Sequence, residues 1–314
     1  MLGLGLASSH APGMFCPLDI WPRVYGAIPD YTKESQPSTA KLETREVLEK
    51  YLVRINAAFD VLRQKLETYR ADALIMIGDH HIDLFNNSNM PTLAVFTGKE
   101  VWGSCKPFYM DEPAEASRIH IPVHTELASY TLKELVKRGF DPSNIAAMQP
   151  LGDPQRGVSH MIVLPAPKLM PKLDLPIIPI FLNANFPPLP TAKRCSELGV
   201  ALRDILAARP ERVAIYASGG LSHDPFGPRA GWIDEPLDRW VLERLESGRW
   251  EELKNLFAFD SDTVRGGTAE IRAWISVAAA CQRPAKIVEY LPCHHIKVGL
   301  AWAYWPAVED KIAR

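Results

Sequence analysis

The chain has 314 residues, 47% of them hydrophobic, which is ample for a large buried core. Lysine plus arginine number 35 against 37 aspartate plus glutamate, and the net charge of −2 gives no electrostatic reason to expect a nucleic acid or an anionic membrane surface as partner. Five cysteines (Cys16, Cys105, Cys195, Cys281 and Cys293) are odd in number and form no CxxC pair, which argues against a disulfide framework or a zinc ribbon and for reduced thiols in a cytoplasmic protein.

In chain order, 2–7 reads as a buried strand, and the opening MLGLGLASSH has neither the basic start nor the apolar length of a secretory signal. A proline-rich segment over 12–41 follows, too long for an ordinary connection and expected to act as a lid or a subunit contact. It holds Trp21, Tyr25 and Tyr31, which offer rings for stacking or for the core. Residues 42–69 carry apolar side chains at Val47, Leu48, Tyr51, Leu52, Ile55, Phe59, Leu62 and Leu66, the spacing of one helix face. Further strands are expected at 71–77, 93–97, 177–182 and 212–217, and further helices at 126–137, 192–208, 236–247 and 268–281. No run of about 20 apolar residues predicts a membrane span. The alternation predicts an α/β fold: one large domain over 1–314, with a central mixed, largely parallel sheet flanked by helices.

Nine histidines are unevenly placed. His10 follows the first strand through Ser8 and Ser9, His80 follows the 71–77 strand through Gly78 and Asp79, and His223 follows the 212–217 strand through the sequence SGGLS. In open α/β sheets the ligand crevice lies at the carboxyl ends of the strands, so the three imidazoles are expected to converge there. Two imidazoles and a carboxylate suit a non-haem Fe(II) centre, whereas three imidazoles suit a catalytic zinc. Glu270, in GGTAEIRAW, is the carboxylate in question; the same residue is also ordinary helix-start chemistry, with Thr268 as N-cap.

Five ordered stretches carry a resemblance: SSHAP (8–12), GDHHIDLF (78–85), RGVSHMIVLP (156–165), ASGGLSHDP (217–225) and GGTAEIRAW (266–274). Together they resemble the class III extradiol ring-cleavage dioxygenases, the family that includes the protocatechuate 4,5-dioxygenase catalytic subunit. HAPGMFCPLDIWPRVYG and LDRWVLERLESGRWEEL are most similar to the branch acting on protocatechuate, gallate and 3-O-methylgallate. The resemblance implies Fe(II) held by His10, His80 and Glu270, with His81 as the competitor of His80, because neighbours on extended backbone point to opposite sides. It implies His223 as the acid/base beside the substrate hydroxyls and His160 as a second pocket histidine. The implied reaction is O2-dependent opening of a catechol ring to a semialdehyde or its cyclised product.

Asp79 and Asp224 are candidates for orienting the neighbouring imidazoles, the alternative being loop carboxylates. His294 and His295 are read either as pocket lining or as a polar turn between two strands, and His120 and His124 as strand-edge residues. The resemblance further implies a homo-oligomer and, in some members, a small accessory subunit. Two rival readings are a zinc hydrolase built on the same histidine and glutamate residues, and a non-enzymatic binding protein on this scaffold.

Overall fold

The computed structural model describes residues 1–33, 38–225, 227–258 and 264–307; the middle of the proline-rich segment, 34–37, and the side chain of Tyr31 lie outside the described residues. Eight strands form the main sheet: β1 (Leu2–Ser8), β2 (Ala73–Gly78), β3 (Leu93–Phe96), β6 (Ser143–Ile145), β7 (Ile177–Leu182), β8 (Val213–Ser218), β9 (Lys286–Cys293) and β10 (Val298–Trp305). Their order is β6-β3-β7-β2-β8-β1-β10-β9. The central run β7-β2-β8-β1 is parallel throughout, and antiparallel pairings join it to β3 on one side and to β10 on the other. A separate two-stranded sheet pairs β4 (Glu100–Ser104) with β5 (Arg118–Pro122).

The expected α/β architecture with a mixed, largely parallel sheet is what the chain adopts. The four central strands are wholly buried and read as unbroken apolar runs because helices cover both faces. The Arg45–Tyr69 helix buries the stripe Leu48, Ile55, Phe59, Leu62 and Leu66, and ends where Arg70 turns left-handed (φ 53°). The Ile271–Cys281 helix is buried at every residue and packs against Ala192–Ala207 and against β1.

Strand ends matter most for the site. Ser8 pairs with Ser218, and Gly78 pairs with the same Ser218, so β1, β8 and β2 are neighbours whose carboxyl ends lie level. Whatever follows each of them therefore enters one crevice. The β9–β10 hairpin, which the periodicity did not single out as strands, closes the far side of β1 with the buried Trp302 and Trp305.

The described part of the proline-rich segment folds as short helical turns, with Met14, Trp21, Val24 and Ile28 buried and the Trp21 indole N–H donating to the Cys16 carbonyl at 3.3 Å. All five cysteines are free thiols; burial raises each pKa, to about 11 for Cys16 and about 12 for Cys195 and Cys281. Among the described residues no helix is long and apolar enough to cross a membrane.

The crossing of the two buried helices depends on Gly199. A Cβ there would sit 2.0 Å from the Ser276 carbonyl oxygen, a backbone atom that cannot swing aside. Gly199→Ala is expected to lower stability by about 1–3 kcal/mol, the usual range for overpacking, read as a lower urea midpoint at unchanged slope.

Candidate metal centre

The centre is built around one carboxylate. Glu270 ends a short 3-10 turn (Gly266–Glu270) ahead of the Ile271–Cys281 helix and is buried to 1% exposure. Its Oε2 accepts the Gly220 N–H at 2.7 Å and faces His10 Nε2 at 3.5 Å. Gly219 makes that approach possible: it holds φ +131°, and a Cβ there would lie 2.7 Å from Oε2. The Trp274 indole N–H clamps the same turn by donating to the Gly219 carbonyl at 2.8 Å.

The tautomer of His10 follows from its neighbour. The Ser218 hydroxyl spends its single proton on the Met161 carbonyl at 2.7 Å, so it accepts from His10 Nδ1–H at 2.9 Å. His10 Nε2 is then a bare lone pair, buried and without a hydrogen-bond partner, aimed at Glu270. A buried orphan of this kind needs an explanation, and a metal ligand is one.

The two adjacent histidines of GDHH are placed differently. His80, expected as the ligand, is fully buried with both ring nitrogens facing backbone carbonyls, of His81 at 3.0 Å and of Pro91 at 3.3 Å. It packs edge-on against Phe85 and parallel to Phe186, and offers no lone pair to the crevice. His81 takes that place. Left-handed backbone (φ 42°) opens the short His81–Leu84 turn and swings its ring so that Nε2 faces Glu270 Oε1 at 3.4 Å. Its other nitrogen, Nδ1, lies 3.2 Å from Asp79 Oδ2. Asp79 is in turn fixed by the Ala184 N–H at 2.6 Å and the Asn185 side-chain amide at 2.8 Å, so it orients His81 as carboxylates orient metal-bound imidazoles. Donors about 2.1 Å from one ion and at right angles sit about 3 Å apart, and the two Glu270 oxygens lie 3.5 Å from His10 Nε2 and 3.4 Å from His81 Nε2.

His223 approaches the same carboxylate. Its Nδ1–H donates to the Leu221 carbonyl at 2.9 Å, and Nε2 lies 3.9 Å from Glu270 Oε1. The ring has room because residue 267 is glycine, whose Cβ would lie 1.9 Å from His223 Nε2. Thr268, expected as a helix cap, instead binds the His223 backbone through its hydroxyl. His160, in RGVSH, joins the group with its ring 4.0 Å from that of His81 and 4.8 Å from that of His10. Its Nδ1 is buried without a hydrogen bond, and Phe108 stands edge-on to it at 5.2 Å.

Other candidates fall outside. Asp224 is a turn former, accepting from the backbone N–H groups of Gly227 and Arg229. His294 and His295 occupy the turn between β9 and β10, where both backbone N–H groups and the His295 ring engage the Glu43 carboxylate. His120 pairs with Glu100 on the small sheet, and His124 caps the Thr125–Lys137 helix. Ser218, Phe108 and Asp83, whose carboxylate faces His160 Nδ1 at 3.6 Å, were not singled out from the sequence, although Ser218 and Asp83 lie inside the ASGGLSHDP and GDHHIDLF stretches.

Electrostatics divide the group. Burial alone would push the Glu270 carboxyl up, but His10, His223 and His81 outweigh it and hold it well below the usual range. Burial keeps His10 and His160 neutral, well below 6.5. Burial also acts to lower His81, yet Asp79 and Glu270 override it and raise the imidazole to about 9. That proton must leave before His81 can bind a metal. Below about pH 9 the proton competes, so affinity for Co(II) as a probe is expected to rise with pH and level off near 9. Calorimetry in buffers of different ionisation enthalpy is expected to register about one proton released per ion near pH 7. Equilibrium dialysis is expected to find a loss of at least about 100-fold in metal affinity in His81→Ala, with His80→Ala retaining the ion; the reverse order would return the ligand role to His80.

A family profile described as the catalytic LigB subunit of aromatic ring-opening dioxygenase matches residues 37–300. The chain is 30% identical over 195 residues to a 2,3-dihydroxyphenylpropionate/2,3-dihydroxicinnamic acid 1,2-dioxygenase of Mycolicibacterium paratuberculosis, covering 62% of this chain and 56% of that protein. It is 27% identical over 198 residues to the protein of the same name from Photorhabdus laumondii, covering 63% and 56%. With that from Escherichia coli (strain E24377A) it shares 26% over 275 residues, covering 73% and 82%. The chain thus spans a little over half the length of the first two relatives. With the profile running through four of the five motifs and across most of the chain, the protein belongs to the family of LigB-type catalytic subunits of aromatic ring-opening dioxygenases.

Proposed function

We propose that the protein is a non-haem Fe(II)-dependent extradiol dioxygenase that opens the ring of a catecholic substrate with O2. The observation that carries this reading is the bare Nε2 of His10 and the Nε2 of His81 facing the two oxygens of one buried carboxylate, with the His223 Nε2 beside them. Two imidazoles and a carboxylate are the donor set of an Fe(II) centre that leaves positions open for substrate and O2. When bound, Fe(II) supplies the redox contact between an electron-rich ring and O2 that no side chain here can make.

The chain's own residues do the rest. His223, fixed through Nδ1–H on the Leu221 carbonyl, takes the proton of one catechol hydroxyl at Nε2 and returns it as the ring opens. His160 lines the crevice as a neutral imidazole edge-on to Phe108, whose ring carries the Arg156 guanidinium at 3.8 Å. Asp79 and Ser218 keep His81 and His10 in their metal-binding orientation. The substrate is read as a catechol bearing a carboxylate. The motif resemblance favours the protocatechuate, gallate and 3-O-methylgallate type, the relatives' names favour 2,3-dihydroxyphenylpropionate, and a carboxylate is common to all of them. The free thiols favour a cytoplasmic enzyme.

A second reading has one observation behind it. The donor atoms of His10, His81 and His160 lie within 4.8 Å of one another, a three-imidazole set that suits a zinc hydrolase. Metal and oxygen separate the two, since Zn2+ has no redox chemistry. Protein reconstituted with Fe(II) under argon is expected to take up one O2 per catechol, and the zinc-loaded protein none. His223→Ala is expected to retain iron and to lose turnover by about 10²- to 10⁴-fold. Iron-loaded protein that consumes no O2 with any of the carboxylated catechols would overturn the dioxygenase reading.

A further inference from the structure

Lys297 is out of place for a lysine. It lies in the turn between β9 and β10 and is only 3% exposed, yet no carboxylate of the described residues lies within salt-bridge distance of its ammonium. Its pKa is lowered, with burial as the cause. Its one specific neighbour is an aromatic face, the Tyr109 ring, 5.7 Å from Nζ. Lysines this deep are almost always paired, because an ammonium without a counter-charge loses hydration and gains little in return.

Its surroundings belong to the candidate centre. Tyr109 follows Phe108, the ring that stands against His160. Two residues beyond Lys297, Gly299 exchanges backbone hydrogen bonds with Leu221 and Ser222, the residues that lead into His223. Immediately before it, Ile296 contacts the space over Gly13, in the Pro12–Phe15 turn that follows His10. Three segments that deliver site histidines or their walls thus bracket a cation that has no carboxylate partner among the described residues. Glu43, the nearest acidic anchor of this turn, is already occupied by the backbone of His294 and His295 and by the His295 ring.

We infer that Lys297 is the counter-ion for a carboxylate on the ring substituent of the substrate, and that it sets a preference for anionic over neutral catechols. The inference rests on the catechol reading of the centre and extends it to the far end of the pocket. Tyr109 supports the role from beneath, as an aromatic face holds a cation without neutralising it. Because the contact is remote from the reacting atoms, its loss belongs in KM and in binding more than in kcat.

The test compares 3,4-dihydroxybenzoate with 4-methylcatechol, and 2,3-dihydroxyphenylpropionate with 3-propylcatechol, on Fe(II)-reconstituted protein. Binding is measured by anaerobic calorimetry and turnover by O2 uptake. In Lys297→Met the preference for the carboxylated member of each pair is expected to fall by about 10- to 100-fold, the scale of one charge-assisted hydrogen bond. Lys297→Arg is expected to restore part of it, and Lys50→Met, on an exposed helix face, to leave it as in the wild type. A wild type without preference, or a Lys297→Met protein that keeps the full preference, would overturn the inference. Selective, Lys297-dependent binding of the acids without O2 uptake would sustain it and sink the dioxygenase reading instead.

Discussion

A carboxylate at 1% exposure cannot remain ionised in a protein interior unless something answers its charge, and the surroundings of Glu270 are arranged to do so. The Gly220 N–H, His10, His81 and His223 all address its two oxygens. The level ends of β1, β8 and β2 make this possible, since each delivers one imidazole to the same spot. In the ion-free chain the answering charge is the His81 proton. That pair stabilises the fold fully below about pH 6.5, the ordinary histidine value, and its contribution is lost as pH rises through about 9. A divalent ion replaces one proton with two charges, so the site is organised to accept a stronger version of what it already holds.

Much of this was legible in the residues. Strand, turn and histidine recur three times, and the rule that ligands gather at carboxyl ends of parallel strands turns that recurrence into a prediction of convergence. What stayed hidden was local backbone. Whether His80 or His81 enters the crevice depends on a left-handed φ at His81, and no periodicity encodes a single αL residue outside glycine. The aspartate motif was expected to bring only one of its two rings to the site, and the ring it favoured, His80, packs instead against Phe85 and Phe186.

The helix side shows a similar limit. Thr268 and Glu270 look like an N-cap and a dipole-complementing acid, and both do something else. The Gly266–Glu270 segment is a 3-10 turn, which shifts Thr268 onto the His223 backbone and points Glu270 toward Gly220. A change from 3.6 to 3 residues per turn over five residues leaves no trace in composition. The β9–β10 hairpin was seen only as flanks of a polar turn, because its alternation of small residues and tryptophans reflects packing against β1 more than any strand propensity.

The free thiols have a consequence for how the protein ages. Burial keeps all five sulfurs protonated at neutral pH, and a protonated thiol is a poor target for peroxide or for another disulfide. A protein built this way has little to lose at its cysteines on exposure to air. Thiol reagents are therefore expected to make little difference to an aged preparation.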